Sequence, residues 1–255
     1  MAQRTKSRVV AVIPARLASE RLPGKVLRML HGRAMLHHVY DAARCCAILD
    51  DLCVATDSEE VRGYCEANHI PVRMTSAKHR SGTERVHEVM QLVAGDIFLN
   101  LQADEPLLLP EHVALLVEPF LNNPEIQVST LKTPLDRAEA ANPNVVKVVS
   151  DIHGRALYFS RAPIPFQRSA EALASPYKHL GLYGYTRQSL EQYVRLPPAR
   201  LEQSERLEQL RFLENGIPIH VAETTGDMIG VDTEEDWQAV IRFLETGKAE
   251  PQSQS

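Results

Sequence analysis

The sequence has no long hydrophobic run. It contains 255 residues, of which 44% are hydrophobic and 24% are charged, and no apolar stretch approaches the roughly 20 residues that a membrane-spanning helix requires. The basic N-terminal stretch MAQRTKSR is followed by a short strand-like run and not by a small-residue cleavage site. We therefore expect a cytoplasmic protein without a signal peptide or membrane insertion.

An excess of positive charge is also missing. The formal net charge is −5, which disfavours non-specific binding to nucleic acid, so we expect no nucleic-acid partner. The sequence contains neither the Gly-x-x-x-x-Gly-Lys-Ser/Thr spacing nor the Gly-x-Gly-x-x-Gly turn. Any phosphate binding must therefore rest on side-chain cations and backbone amides in another kind of loop.

Cysteine is scarce and shows no ligand spacing. The four cysteines lie close together in the chain but form no Cys-x-x-Cys pair: Cys45, Cys46, Cys53 and Cys65. A metal site is one alternative, but the spacing favours reduced, mostly buried thiols.

Residues 9–25, VVAVIPARLASERLPGK, are the most informative stretch. The β-branched apolar run before Pro14 is typical of a strand that is covered on both faces. The loop after it carries three cations: Arg16, Arg21 and Lys25. Because ligands of open α/β sheets bind beyond the carboxyl ends of the strands, this loop suits a polyanion such as a triphosphate. A solvated basic loop is the alternative.

Strands and helices alternate in the first part of the chain, which predicts a parallel sheet in one large α/β domain over 1–246. The expected elements are a strand at 9–13, a helix at 34–46, a strand at 52–55, a helix to about 68 and a strand at 71–74. The polar tail over 247–255 is expected to be disordered.

A polar segment over 75–85 contains a Ser81-Gly82-Thr83 turn. Thr83 is a suitable N-cap for the helix that follows. Ser81, Gly82 and Arg85 could hold a base or a phosphate, although capping alone explains a Ser-Gly-Thr turn.

Asp104 and Glu105 follow another apolar strand, predicted over 96–101. Carboxylates at a strand end, opposite a cationic loop, suit Mg²⁺, which takes carboxylate and phosphate oxygens. A capping acid before the next helix is the alternative. Asp232 offers a similar choice, because it suits either a second metal carboxylate or the N-cap of the final helix, with Glu235 completing a capping box.

The second half departs from the alternating repeat. Residues 145–149 and 156–159 predict a β-hairpin, and a rigid extended segment with one cation, Arg161, follows them. A strand is expected at 177–185, where the glycines are typical of close approach by a ligand or a backbone. One helix is predicted over 201–215. Two polar residues lie between its core positions and either reach a crevice or face solvent: Glu208 and Gln209.

Several motifs in order make the chain resemble the bacterial sugar-acid cytidylyltransferases. They are IPARLASERLPGK, VATDSEEV, HRSGTERV, LQADEP, NPNVVKVV, ALYFSRAPIP, HLGLYGY, LEQLR and GVDTEED. The resemblance covers about 9–244 and is greatest to the 3-deoxy-manno-octulosonate (KDO) cytidylyltransferases.

This resemblance implies transfer of CMP from CTP to the anomeric hydroxyl of KDO, with release of pyrophosphate and Mg²⁺ as cofactor, for the inner core of lipopolysaccharide. The implied fold is a Rossmann-like three-layer α/β/α structure with a mixed, mostly parallel sheet, of the nucleotide-diphospho-sugar transferase type. A homodimer is implied as well, with a hairpin and dimerisation region around 145–200.

The resemblance also implies roles for individual residues. The catalytic residues would be Arg16, Lys25 and Asp104. The metal ligands would be Asp104 and Asp232. The nucleotide would contact Arg16, Lys25, Ser81, Gly82, Arg85 and Gln102. The sugar acid would contact Gln102, Arg161, His179, Tyr183, Glu208 and Gln209.

The chain departs from the family pattern at two positions near the expected nucleotide contacts. Ala103 replaces a glycine, and Lys78 stands where an acidic residue is frequent. Two alternatives stay open: the same chemistry on an 8-amino-KDO type of acceptor, and a catalytically silent nucleotide-binding homologue. The retained cations and carboxylates argue against the silent homologue.

Overall fold

The computed structural model describes residues 7–19, 21–168 and 175–246. The predicted tail over 247–255 lies outside these residues. The strands are β1 Val9–Pro14, β2 Met29–Leu30, β3 Arg33–Ala34, β4 Asp51–Thr56, β5 Val72–Met74, β6 Ile97–Asn100, β7 Val128–Pro134, β8 Lys147–Ser150, β9 Ala156–Ser160, β10 Tyr177–Thr186 and β11 Ile219–Glu223.

The helices lie between these strands and at the end of the described chain. They are α1 Met35–Arg44, α2 Glu59–Ala67, α3 Gly82–Leu92, α4 Pro110–Asn122, α5 Arg187–Arg195, α6 Arg200–Glu205, α7 Leu210–Glu214 and α8 Glu234–Thr246, with short 3₁₀ turns at Lys25–Leu27 and Glu139–Ala141. Among the residues that the structure describes, no helix is both long enough and apolar enough to cross a membrane.

The main sheet is mixed, with the order β11-β7-β10-β6-β1-β4-β5 and the hairpin β8–β9 attached to β10. Strands β6, β1, β4 and β5 are parallel neighbours, and β11 is parallel to β7. Only β10 runs against its neighbours β6 and β7 on this path. The predicted mixed, mostly parallel sheet is therefore confirmed, and the carboxyl ends of β1, β4, β6, β7 and β11 meet at one edge.

Helices cover both faces of the sheet. Val9, Ala11 and Ile13 pack in one core with side chains of α1, α2 and α4. Val10 and Val12 point the other way and pack with α3, α5 and α7. Because these five side chains of β1 are at most 1% exposed, the predicted three-layer α/β/α architecture is confirmed.

The helix predicted over 201–215 is wrong. The chain forms two helices, α6 and α7, because Arg206 adopts a left-handed conformation with φ 54° that ends α6. Leu207 and Leu210 are still buried. The apolar pattern therefore predicted the buried positions correctly, but it wrongly predicted one continuous helix. Gly216, the residue after the predicted range, has φ 75° and follows the end of α7.

The cysteines divide into exposed and buried groups. Cys53 in β4 and Cys65 in α2 are buried, Cys46 is half-buried and Cys45 is exposed. Burial raises the pKa of Cys53 and of Cys65 to about 11, which keeps both thiols protonated near neutral pH.

We expect iodoacetamide at pH 7.5 to label Cys45 in the folded protein and to leave Cys53 and Cys65 unmodified. The thiolate is the reacting species, and burial both suppresses it and blocks access. Peptide mass spectrometry after timed labelling measures this, with the urea-unfolded protein as the control in which all four thiols react. Fast labelling of Cys65 in the folded state would contradict the packing of α2.

Candidate active site

The candidate active site lies at the edge where the parallel strands end. The loops after β1, β4, β6 and β11 all leave the sheet there, because these strands run in the same direction. The first half of β10 extends past the end of β6, since Tyr183 is the residue paired with Asn100. This topology brings the cationic loop, the acidic loops and the start of β10 to one place.

Lys25 and two carboxylates form the centre of the site. The ammonium nitrogen of Lys25 lies 2.6 Å from Asp104 Oδ2 and 2.7 Å from Asp232 Oδ1, and it donates a third hydrogen bond, 2.7 Å long, to the carbonyl of Val231. Lys25 follows Gly24, whose φ of 70° begins the 3₁₀ turn, and only 7% of Lys25 is exposed. Three residues predicted from separate motifs are thus in direct contact.

The charges in this cluster stabilise one another. Burial alone would lower the pKa of Lys25, but Asp104 and Asp232 outweigh it, and the net pKa lies above the ordinary value. Burial likewise opposes ionisation of Asp232, while Lys25 and Arg21 lower its pKa below the usual range. Lys25 and Asp232 are therefore both charged near neutral pH.

Glu105 lies beside this cluster and has a raised pKa. Burial, followed by the negative charge of Asp104, raises the pKa of Glu105 to about 8. Its Oε2 atom is enclosed and has no hydrogen-bond partner among the described residues. A Cβ at Gly230 would lie only 2.9 Å from Glu105 Oε1, so glycine allows the loop that carries Asp232 to approach this closely.

The prediction that Asp232 caps the final helix is wrong. Thr233 and Asp236 bond reciprocally at the start of α8: Thr233 N–H donates to Asp236 Oδ2 over 2.9 Å, and Asp236 N–H donates to Thr233 Oγ1 over 3.2 Å. This pair, and not Asp232 with Glu235, forms the capping box. The carboxylate of Asp232 instead contacts Lys25 and, at 2.6 Å, Arg21 Nη2. Its other predicted role, a metal carboxylate, stays a prediction.

The Ser81-Gly82 turn begins α3, but the N-cap of this helix lies two residues earlier than predicted. Ser81 is the N-cap, and its Oγ accepts from Glu84 N–H over 3.2 Å, so the prediction of Thr83 is wrong. A Cβ at Gly82 would lie 3.2 Å from Asn100 Nδ2, which shows close packing of this turn against the end of β6. The N-terminus of α3 therefore faces the site edge, where it favours negative charge.

Arg85 is a buried cation one turn into α3. Its side chain is 1% exposed, hydrogen-bonds Thr75 Oγ1 through Nη1, and places Nη2 3.2 Å from Asp57 Oδ1. Burial lowers the pKa of Arg85 below its ordinary value, although Asp57 opposes this shift. Arg85 thus fixes the start of α3 to the end of β4 behind the Ser81-Gly82 turn.

Arg16, the other predicted nucleotide cation, is exposed in the loop after β1.

Ala103 fits its position without strain. Its side chain is 3% exposed and packs in the core with Leu101 and Leu108. Ala103 does not belong to the non-glycine residues of the described chain that have positive φ. The position therefore does not require glycine for its backbone conformation. Next to it, Gln102 Nε2 donates to the carbonyl of Gly181 over 3.3 Å, which joins this loop to β10.

His179 and Tyr183 form an aromatic wall on β10. Their ring centroids lie 5.5 Å apart, and the ring of Phe159 lies 4.9 Å from that of His179. Burial lowers the pKa of His179 to about 3, so its imidazole is neutral at any working pH. Thr130 Oγ1 donates to the carbonyl of Leu182 over 2.7 Å and lies 2.9 Å from His179 Nε2. Nε2 is thus the donor in this pair, and Nδ1 is left as an acceptor.

Glu208 and Gln209 lie in the bend between α6 and α7. Glu208 Oε2 accepts from Thr83 Oγ1 over 3.1 Å, which links this bend to the start of α3. Gln209 is 5% exposed, and its Nε2 has no hydrogen-bond partner among the described residues. An enclosed amide donor without a partner suits a ligand hydroxyl. The helix break at Arg206 thus serves to place these two side chains.

Arg161 is held by backbone carbonyls at the end of β9. Its Nε donates to Glu205 O over 2.8 Å and its Nη1 to Pro143 O over 3.0 Å. Lys147, which is fully buried, donates to Arg161 O over 2.6 Å. Because Lys147 pairs with Lys178 in β10, Arg161 lies near the start of the strand that carries His179.

Sequence reasoning missed three supporting residues. Asp57 pairs with Arg85, Glu205 accepts from Ser160 Oγ over 2.6 Å, and Lys147 is the buried cation beside Arg161. Asp57 and Lys147 belong to the VATDSEEV and NPNVVKVV motifs. Their charged side chains next to apolar strand residues were the available signal.

Comparison with known proteins decides the family. The profile described as Cytidylyltransferase matches residues 10–222. The 3-deoxy-manno-octulosonate cytidylyltransferase of Koribacter versatilis (strain Ellin345) is 52% identical over 237 residues, which cover 93% of this chain and 90% of the relative. This chain belongs to the 3-deoxy-manno-octulosonate cytidylyltransferase family. The family member from Acidobacterium capsulatum is also 52% identical, over 92% of this chain and 96% of the relative.

A solved structure supports the same family and the fold. CMP:2-keto-3-deoxy-manno-octonic acid synthetase complexed with CTP superposes with a TM-score of 0.90 at 42% identity, covering 95% of this chain and all of that chain. The resemblance inferred from the motifs is therefore confirmed, as is the nucleotidyltransferase type of fold. The roles of the individual site residues stay predictions.

Proposed function

We propose that this chain transfers CMP from CTP to the anomeric hydroxyl of KDO and releases pyrophosphate, supplying the activated sugar acid for lipopolysaccharide. The observation that carries this proposal is the contact of Lys25 with Asp104 and Asp232 at the carboxyl edge of the sheet. It combines a cation for the triphosphate with two carboxylates for a metal. Two similar proteins support CTP and KDO as the substrates. One is the 3-deoxy-manno-octulosonate cytidylyltransferase of Koribacter versatilis, and the other is the synthetase solved in complex with CTP.

The triphosphate would lie over the loop after β1 and the start of α3. Arg16 and Lys25 supply positive charge, and the Ser81-Gly82 turn offers the free amides of a helix N-terminus. Phosphoryl-type transfer depends mainly on positioning and on neutralising charge. Arg85 would act from behind this turn, by fixing α3 to β4, and Gln102 would border both the nucleotide and the sugar acid.

Mg²⁺ is the proposed cofactor, and the donor set fits it. Asp104 and Asp232 both place an oxygen within 2.7 Å of one cation, the Lys25 ammonium, and hard divalent cations prefer such carboxylate oxygens. These two residues would hold the metal. When bound, Mg²⁺ would lower the pKa of the anomeric hydroxyl and neutralise charge on the phosphates.

The sugar acid would lie against β10 and the bend between α6 and α7. The guanidinium of Arg161 matches a carboxylate. His179 Nδ1 accepts, and the hydroxyl of Tyr183 stays protonated because burial raises its pKa. Gln209 offers its unpartnered amide, with Glu208 next to it. This set supplies both donors and acceptors for a substrate that is rich in hydroxyls.

We expect Arg161→Ala to raise the KM for KDO by about 30-fold, the equivalent of about 2 kcal/mol for a charged hydrogen bond, while the KM for CTP stays within about twofold. Steady-state kinetics with each substrate varied in turn measures the two constants. Arg195→Ala, which removes an exposed arginine at the end of α5, is the matched control. An unchanged KM for KDO would remove Arg161 from the sugar-acid site.

We also propose a homodimer that forms through the hairpin region predicted around 145–200. Three large apolar side chains are strongly exposed there: Ile152 at 94%, Leu157 at 63% and Phe166 at 86%. A second copy of the chain would cover them. The proposed location is the cytoplasm, where CTP is available.

Identification of the reaction product tests the proposed function. The chain is incubated with CTP, KDO and Mg²⁺, and the products are analysed by ³¹P NMR and mass spectrometry. We expect pyrophosphate and one new phosphodiester that joins cytidine monophosphate to KDO. A product that retains two phosphates, or a product only with an amino-substituted acceptor, would contradict the proposed reaction.

A further inference from the structure

The Lys25 ammonium has no hydrogen-bonding capacity left. It has three protons, and its nitrogen lies 2.6–2.7 Å from three oxygens: Asp104 Oδ2, Asp232 Oδ1 and Val231 O. Lys25 is nearly enclosed, with 9% of its side chain exposed. The carboxylates proposed for the metal are thus already neutralised by a side chain of the same chain.

We propose that Lys25 takes the metal's place between Asp104 and Asp232 in the nucleotide-free protein, and that a divalent cation enters only when a triphosphate draws Lys25 away. The inference rests on the proposed metal site. Two cations that share the same carboxylate oxygens would lie within a few ångströms and repel each other strongly. Lys25 and the metal are therefore alternative partners of the two carboxylates.

The ligand set explains why the triphosphate must come first or together with the metal. Among the residues that the structure describes, no group of three or more His, Cys, Asp or Glu side chains is placed to hold a metal. Asp104 and Asp232 are the two carboxylates on Lys25, and Mg²⁺ sites built on one or two carboxylates are completed by substrate phosphates and water. A triphosphate supplies oxygens to the metal and also a new anionic partner to Lys25.

Lys25 is well placed to make this exchange. It lies on a short 3₁₀ turn that begins after Gly24, in the loop that leaves β1. Its four-carbon stem allows the ammonium to move without the backbone. When Lys25 leaves, Arg21 still contacts Asp232 at 2.6 Å from an exposed position. The two carboxylates are thus neutralised both before the exchange, by Lys25, and after it, by the metal and Arg21.

Binding of Mn²⁺ without nucleotide tests the proposal, with Mn²⁺ as a paramagnetic substitute for Mg²⁺. Electron paramagnetic resonance of free Mn²⁺ gives the affinity of the wild type, Lys25→Met and Lys25→Arg. We expect Lys25→Met to bind Mn²⁺ about tenfold or more tightly than the wild type, because the competing charge is gone. Lys25→Arg, the matched control, keeps a cation and should bind like the wild type.

Three further results complete the test. Adding Asp104→Asn to Lys25→Met should remove the gain in affinity. Equal or weaker Mn²⁺ binding by Lys25→Met would overturn the proposal, and so would wild-type binding much tighter than about 1 mM without nucleotide. Lys25→Gln replaces Lys25→Met if thermal melting shows that the methionine variant does not fold.

Turnover of the wild type separates this inference from the proposed function. If CMP transfer requires Mg²⁺ but Lys25→Met gains no affinity for Mn²⁺, the metal site stands and the competition by Lys25 is wrong. If CMP transfer proceeds equally well without any divalent cation, the proposed metal site itself is wrong.

Discussion

Asp104→Asn is expected to lower kcat for CMP transfer by about 10³-fold or more, because it removes a carboxylate that would hold the proposed metal, whose positive charge would stabilise the reacting phosphate. The asparagine keeps the shape of the side chain, and Asp232 still pairs with Lys25 at 2.7 Å. The fold should therefore stay close to that of the wild type. Pyrophosphate release at saturating substrates measures kcat, and circular dichroism checks the fold.

The matched control for this substitution is Asp136→Asn. Asp136 is an exposed aspartate after β7, and its replacement should leave kcat unchanged. Wild-type turnover by Asp104→Asn in the presence of Mg²⁺ would show that Asp104 is not a metal ligand. A melting temperature far below that of the wild type would instead assign the loss of kcat to folding.

Arg85→Met is expected to lower the free energy of unfolding by about 2 kcal/mol, because it removes the charged hydrogen bond to Thr75 and the contact with Asp57. The methionine has a similar length, so the loss of charge and hydrogen bonds dominates over the loss of packing. Urea unfolding followed by circular dichroism at 222 nm measures this free energy, with excess CTP absent so that ligand binding does not add to it.

Arg62→Met is the control for Arg85→Met. Arg62 is an arginine on α2 that pairs at the surface with Glu59 and Glu66, and exposed pairs of this kind contribute about 0.5 kcal/mol. Equal small losses for both variants would show that the Arg85 ion pair does not hold α3 to β4. The main role of Arg85 would then be nucleotide binding, and the CTP affinity of Arg85→Met would show it.

The position of the site was predictable because strand ends are readable in the sequence. The apolar runs before Pro14 and before Gln102 have few interpretations other than buried strands, and parallel strands end at a common edge. Lys25, in the loop after the first run, and Asp104, after the second run, are therefore brought to the same edge of the sheet by topology. Their direct contact at 2.6 Å was not predicted, because it depends on the path of the loop between β1 and Lys25.

Helix ends were harder to predict, because neighbouring residues compete for the same cap. Ser81 and Thr83 both suit an N-cap, and the packing of Gly82 against Asn100 sets where the helix begins. Asp232 and Thr233 compete in the same way. Threonine forms the reciprocal pair, because Lys25, which is distant in sequence, contacts the carboxylate of Asp232.

The helix break at Arg206 could not be read from periodicity. The apolar pattern over 201–215 matches a continuous helix, and arginine rarely adopts positive φ. In the structure, burial of both Leu207 and Leu210 against the core is achieved around a bend. Tertiary packing therefore overrides the local preference, and the bend also places Glu208 and Gln209.

Pyrophosphate release with each of the four nucleoside triphosphates, with and without KDO and in the presence of Mg²⁺, tests the proposed reaction most directly. We predict release that requires CTP and KDO together, with little release from ATP, GTP or UTP. Release from CTP that does not depend on KDO, or CTP binding without release for any acceptor, would contradict the assignment as a KDO cytidylyltransferase. The second of these results would favour a silent nucleotide-binding homologue.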